Sequence, residues 1–174
     1  MSGTSAVSNP FSLGDYIGKK YFCDRKYELE QIVQSIANNR NMVVISPRRL
    51  GKTGLIRRTF DEAFIRDNYY TFYLDIYATS SLTEFVYLLG KNIYNTLRPH
   101  EMLLKKFVQT LASLRLSFTL DANSNPEFHL SLGDIKSPET TLDELFEYLE
   151  DADRPCVIAI DEFQQIANYA EKNV

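Results

Sequence analysis

The sequence predicts an α/β fold in which a mostly parallel sheet is flanked by helices. Three observations carry that expectation. Two short apolar runs, Met42–Ile45 (MVVI) and Cys156–Ile160 (CVIAI), are rich in β-branched residues, as strands buried on both faces are. Stretches with apolar residues at helical spacing alternate with such runs. Each run also ends abruptly, the first in a glycine-containing turn and the second in two acids. Strands alternating with helices in this way are the pattern of a parallel sheet with crossover helices.

The elements follow in chain order. Residues 1–10 are small and polar and read as a flexible tail, with the folded portion spanning 11–174. Asp24 is expected to cap a helix from Arg25 to about Asn38, with Leu29, Ile32, Val33 and Ile36 on one face. Asn-Asn-Arg-Asn ends it, and the Met42–Ile45 strand follows. After a turn at Ser46–Leu50, a second helix is expected from about Lys52 to Arg66. Tyr70–Tyr77 (YTFYLDIY) is an aromatic-rich strand, and Leu82–Leu97 and Glu101–Leu114 read as helices separated by Arg98-Pro99. The alternating segments Leu116–Asp121 and Glu127–Leu132 flank a turn-rich Ala-Asn-Ser-Asn-Pro and predict a β-hairpin insertion. A helix capped by Thr140 or Thr141 runs to about Glu150, Pro155 precedes the Cys156–Ile160 strand, and Phe163–Val174 reads as helical.

Composition narrows the class of function. The chain has 174 residues, enough for one domain with a sizeable core, and its 44% apolar and 24% charged content is that of a globular protein. No apolar run approaches the roughly 18–20 residues that cross a bilayer. The N-terminus lacks the basic and apolar regions of a secretory signal, which points to the cytoplasm. Two cysteines, Cys23 and Cys156, are too few for a disulfide framework, and Cys156 is expected to be a buried free thiol. A net charge of −4 and a pI near 5.2 argue against a dedicated nucleic-acid or membrane-surface binder. The distribution is uneven. Between Gln31 and Phe60 there is no acid, yet Arg40, Arg48, Arg49, Lys52, Arg57 and Arg58 fall there, whereas 134–153 is strongly acidic and reads as a solvated helix face.

The strongest local signal is Ser46-Pro47-Arg48-Arg49-Leu50-Gly51-Lys52-Thr53, between an apolar strand and a helix. This is the context of a Walker A phosphate-binding loop. Backbone N–H groups of the turn and of the helix start, with Gly54 following, can cradle phosphate oxygens. Gly51 admits close approach, Lys52 places a charge on the β- and γ-phosphates, and the Thr53 hydroxyl suits Mg²⁺. The first glycine of the pattern is Ser46 here, so modest strain or an altered turn is expected at that position. Arg57 and Arg58, about two turns into the helix, are expected in surface salt bridges.

The second signal is Cys156–Ile160 followed by Asp161-Glu162, which matches a Walker B strand. Asp161 at the strand end can reach the Mg²⁺ shell through water, and Glu162 can polarise an attacking water. Asp75 ends the other strand, where a structural role is expected ahead of a place near the Mg²⁺ shell. His100, His129 and Cys23 have no partners at metal-ligand spacing.

These residues resemble a known family. Phe22-Cys23-Asp24-Arg25 with Glu28-Leu29 looks like the box that precedes the P-loop in archaeal-type ATPases of the STAND class, relatives of the AAA+ proteins. Pro47–Thr53 resembles that family's P-R-R-x-G-K-T loop, and Asp161-Glu162-Phe163-Gln164 its D-E-F-Q ending. The resemblance covers most of Phe11–Ala170 and implies an ASCE/AAA+-like P-loop NTPase fold, ATP and Mg²⁺ as ligands, slow hydrolysis and a conformational switch. It makes Asp24 and Arg25, with Phe22, nucleotide-site candidates through the upstream box. No guanine-reading N-K-x-D is present, which favours ATP.

Family members continue to a sensor strand, a helical lid and often a winged helix, so the resemblance implies the N-terminal part of such a domain, with weak or absent activity by itself. A sensor strand normally separates the Walker A and Walker B strands in that family, and its absence would leave unpaired backbone groups. A fragment, or a chain whose missing strand comes from another segment or subunit, is therefore expected. Two other functions stay open: a module that binds nucleotide without turnover, and a DNA-associated AAA+ loader whose DNA contacts lie in the absent C-terminal region. A protein partner or an oligomeric assembly is expected, and no membrane association.

Overall fold

The computed structural model describes residues 16, 18, 19, 22, 25–47, 50–97, 107, 117–120, 126–129 and 135–169, with backbone alone at 117–120 and 126–129. They divide into two units, residues 1–67 and 68–174. No helix among the described residues is long and apolar enough to cross a membrane.

In the first unit, α1 (Lys26–Ala37) buries Leu29 and Ile32 against Leu55 of α2 (Lys52–Phe60), with Phe22, Val33, Ile36, Val44 and Ile56 packed around them. The helical spacing read from the sequence is therefore the packed face. The N-cap position of α1 is Arg25, which makes no side-chain cap bond; the expected cap, Asp24, lies outside the described residues, as do Cys23, Arg48 and Arg49. Asn39 ends the helix in a left-handed conformation, φ 52°, which asparagine tolerates better than most residues. The Asn38 amide also donates to the Gln34 carbonyl at 2.7 Å.

Two expectations are corrected here. Met42–Ile45 is no strand: residues 40–47 carry no regular secondary structure, and Val43 and Ile45 are exposed. An apolar run becomes a strand only through a ladder partner, and among the described residues no strand pairs with it. The helix expected from Lys52 to Arg66 breaks after Phe60, and α3 (Ala63–Asn68) follows. The Thr59 hydroxyl donates back to the Leu55 carbonyl at 2.9 Å, a contact that bends helices just where this one ends.

The second unit is built on β1 (Tyr70–Asp75) and β4 (Cys156–Asp161), which pair in parallel from Tyr70 opposite Cys156 to Asp75 opposite Asp161. Tyr70, Phe72 and Leu74 face a core supplied by α4 (Leu82–Leu97) and α5 (Pro138–Glu150), including Val86, Leu89, Ile93, Leu145 and Tyr148. Register then puts Cys156, Ile158 and Ile160 on that packed face. Thr71, Tyr73 and Asp75 with Val157, Ala159 and Asp161 form the other face. β4 is half-buried along its whole length, which corrects the expectation of burial on both faces.

Helix α4 begins with reciprocal capping, the Ser81 hydroxyl accepting from the Glu84 N–H and the Glu84 carboxylate from the Ser80 N–H. Its Asn92 amide donates to the Tyr73 carbonyl at 2.8 Å and fastens helix to strand. Helix α5 starts at Pro138, earlier than Thr140 or Thr141, because a proline suits the first helical position. β2 (Ser117–Leu120) and β3 (Pro126–His129) pair antiparallel, with Phe118 opposite Phe128. The helix expected over 101–114 lies outside the described residues apart from Phe107, which is helical and meets Tyr148 edge-to-face at 5.0 Å. After β4 the expected helix is a short 3-10 turn, Phe163–Asn168.

Candidate functional site

Two sets of sequence-predicted residues occupy the two units. In the first, α2 starts at Lys52 with Gly51 at its N-cap in a left-handed conformation, φ 70° and ψ 30°. Only glycine adopts it without strain. A Cβ added at Gly51 or at Gly54 would meet nothing within 4 Å, so the protein leaves room at this helix start. The first turn contains no acid and no side-chain cap. A helix N-terminus carries partial positive charge, and Lys52 adds a full one, so the local field suits a polyanion. Ser46 is not left-handed; its hydroxyl donates to the Pro47 carbonyl at 3.2 Å. The strain expected from replacing the motif's first glycine is therefore not stored there.

Arg25, a nucleotide-site candidate from the sequence, meets two protein groups in the structure. Its Nη1 donates to the Leu50 carbonyl at 2.8 Å and its Nε to Glu28 at 3.2 Å. These two bonds join the start of α1 to the turn that enters α2. The Glu28 carboxyl is held below its usual range by its own backbone N–H first and by Arg25 second. Phe22 is packed, edge-to-face with Tyr16 at 6.3 Å and under the Arg58 guanidinium at 6.0 Å. Arg58 corrects the surface expectation: it is only 6% exposed and pairs with Glu62 one turn on.

In the second unit, Asp161 ends β4 and Glu162 follows in a left-handed conformation, φ 56°. For a residue with a side chain this stores strain on the order of 1 kcal/mol, and such outliers cluster at functional positions. The turn is held firmly. The Glu162 N–H donates to Asp161 Oδ1 at 3.0 Å, and the Gln165 N–H donates to the Glu162 carbonyl at 2.8 Å. The Gln165 amide donates to the Thr79 carbonyl at 3.0 Å, and Thr79 and Tyr169 share a hydroxyl–hydroxyl bond of 2.6 Å. The segment after the acids is thereby tied to the turn that follows β1.

The Glu162 carboxylate accepts from the Gln164 side-chain amide. The Tyr73 hydroxyl donates to Asp161 Oδ2 at 2.7 Å. Asp75 has the structural role expected of it, accepting the Tyr77 N–H at 3.0 Å to close the turn after the strand.

Sequence reasoning did not find Tyr73, and it named Gln164 only as part of the D-E-F-Q ending, without a task. Tyr73 stands two residues before Asp75, hence on the same face, and that period of two was its one available signal. Among the described residues no three His, Cys, Asp or Glu side chains cluster as a metal site.

A family model described as an ATPase domain predominantly from Archaea matches residues 22–174. No curated protein and no solved structure matches the chain.

Proposed function

The chain belongs to the family of ATPase domains found predominantly in Archaea, and from that premise we propose that it binds Mg-ATP at the Ser46–Thr53 turn and hydrolyses it to drive a conformational switch. The observation that carries this reading is the start of α2. A left-handed glycine, open space beside it, an acid-free first turn and Lys52 together form a place for phosphate oxygens. Backbone N–H groups of the turn through Gly54 bind and orient the triphosphate, and Pro47, Arg48, Arg49 and Leu50 are assigned to the same nucleotide-binding turn. Lys52 neutralises charge on the β- and γ-oxygens. Thr53 and Asp161 are assigned as the oxygen donors that address Mg²⁺, and Glu162 as the group that orients and polarises water. When bound, Mg²⁺ supplies charge neutralisation at the phosphates.

A second reading, nucleotide held without turnover, has one observation in its favour. The Glu162 carboxylate is already engaged by the Gln164 amide. Replacing Glu162 distinguishes the two. On the first reading Glu162→Gln lowers turnover at saturating Mg-ATP by about 100-fold or more, the usual worth of a general base. Its Mg-ATP affinity by calorimetry stays near wild type, whereas Lys52→Ala loses the heat of binding. A Glu162→Gln protein that hydrolyses as fast as wild type removes Glu162 from the mechanism. A Lys52→Ala protein that binds Mg-ATP as wild type does removes the phosphate turn.

A further inference from the structure

The geometry points to Tyr73 as a positioning residue for the Asp161 carboxylate. The inference rests on the assignment of Asp161 to the metal. Tyr73 and Asp161 lie on adjacent parallel strands: Tyr73 pairs with Ala159, and Asp161 stands two residues further along on the same face. That diagonal is long enough for a phenol to span, and the Tyr73 hydroxyl meets Asp161 Oδ2 at 2.7 Å. The other carboxylate oxygen, Oδ1, accepts the Glu162 N–H at 3.0 Å. One donor on each oxygen fixes the plane of the carboxylate about its last rotatable bond. Tyr73 is itself held, since the Asn92 amide of α4 grips its carbonyl.

The consequence for a cation is specific. A carboxylate with a donor on each of its two oxygens is presented to its surroundings in a set direction. A carboxylate that is already oriented loses less freedom on binding a hydrated cation, which is the general gain from preorganisation. The phenol withdraws some charge from Oδ2 in return, but it is a neutral donor and brings no competing positive charge to the carboxylate. Tyr73 therefore acts on the metal only through Asp161.

The same strand provides a matched control. The Tyr70 hydroxyl donates to Asp153 Oδ1 at 3.1 Å, another phenol–carboxylate bond of β1 but at the opposite end of the strand. Binding of ATP to the full chain is followed by calorimetry while MgCl₂ is varied, for wild type and for Tyr73→Phe, Tyr70→Phe and Asp161→Asn. Thermal melting of each variant is recorded alongside.

The expected result is a Mg²⁺ midpoint raised about tenfold by Tyr73→Phe, the equivalent of the low end of one charge-assisted hydrogen bond. ATP affinity in EDTA is unchanged, Tyr70→Phe leaves the midpoint in place, and Asp161→Asn removes the Mg²⁺ dependence. Equal midpoints for wild type and Tyr73→Phe, or equal displacement by Tyr73→Phe and Tyr70→Phe, overturn the positioning role while the assignment of Asp161 stands. An unaltered Mg²⁺ dependence in Asp161→Asn, or no ATP binding by the wild-type chain, overturns the metal reading and this inference with it.

Discussion

Arg25 reaches across the loop and donates from Nη1 to the carbonyl of Leu50 at 2.8 Å, one residue before the left-handed Gly51. The residue entering α1 is thus joined to the turn entering α2. With its Nε on Glu28, the guanidinium is a two-armed brace, and a planar fork suits that geometry better than an ammonium.

Replacing Arg25 tests the brace. Arg25→Lys keeps the charge and loses the second arm, and Arg25→Ala loses both. The expected outcome is a graded fall in Mg-ATP affinity, about threefold for Lys and about tenfold for Ala, given the worth of hydrogen bonds to charged groups at a partly exposed site. Calorimetry reads the affinity. Helix content by circular dichroism should stay constant, because α1 and α2 also hold each other through Leu29, Ile32 and Leu55. An affinity that falls only with charge, equal for wild type and Lys, means that the second arm is idle.

Gly51 separates backbone strain from ligand space. At φ 70° an alanine side chain meets no neighbour but strains the backbone, so Gly51→Ala should destabilise the chain by about 1 kcal/mol. Asparagine accepts left-handed geometry more readily, and Gly51→Asn should recover most of that loss in a urea melt. Neither variant should recover Mg-ATP binding, because both fill the space beside the turn. Binding restored by asparagine together with stability would show that the glycine serves the fold alone.

Cys156 gives the chain a pH dependence with a definite sign. Burial first, and the Asp153 carboxylate second, push its thiol up to about 11 from an ordinary value of 9.0. The folded state therefore holds the proton more tightly than the unfolded one. The stabilisation is fully present below pH 9 and is lost as pH rises from there through 11. For a half-buried group the loss should be about 1 kcal/mol after solvent screening. Tyr70 shifts in the same direction, so the measurement is the difference between urea melts of wild type and Cys156→Ala at pH 8 and pH 10.5. Alkylation of the native thiol by iodoacetamide should likewise be slow at pH 8. A difference that stays constant with pH refutes the shift.

The family of this chain and the starts and stops of several elements were readable from short stretches of sequence. Lys52 opens α2 directly after the glycine, Asn39 stops α1, the 82–97 periodicity is α4, and Asp161 closes β4. Each depends on the covalent character of a few neighbouring residues: a missing Cβ, an amide that tolerates positive φ, a run of apolar side chains.

Relations between distant residues were decided only by tertiary structure. Tyr73 and Asp161 are 88 positions apart and meet because one parallel register sets them on the same face. Arg25 finds Leu50 across a turn, and Arg58 is buried over the Phe22 ring and paired with Glu62 where the charge pattern alone suggested solvent. Met42–Ile45 shows the same rule in reverse, since its composition suits a strand and no described strand pairs with it. Local conformational preference is written residue by residue, whereas a hydrogen bond or a ladder also requires the other half of the pair, and that half is supplied by the way the chain packs.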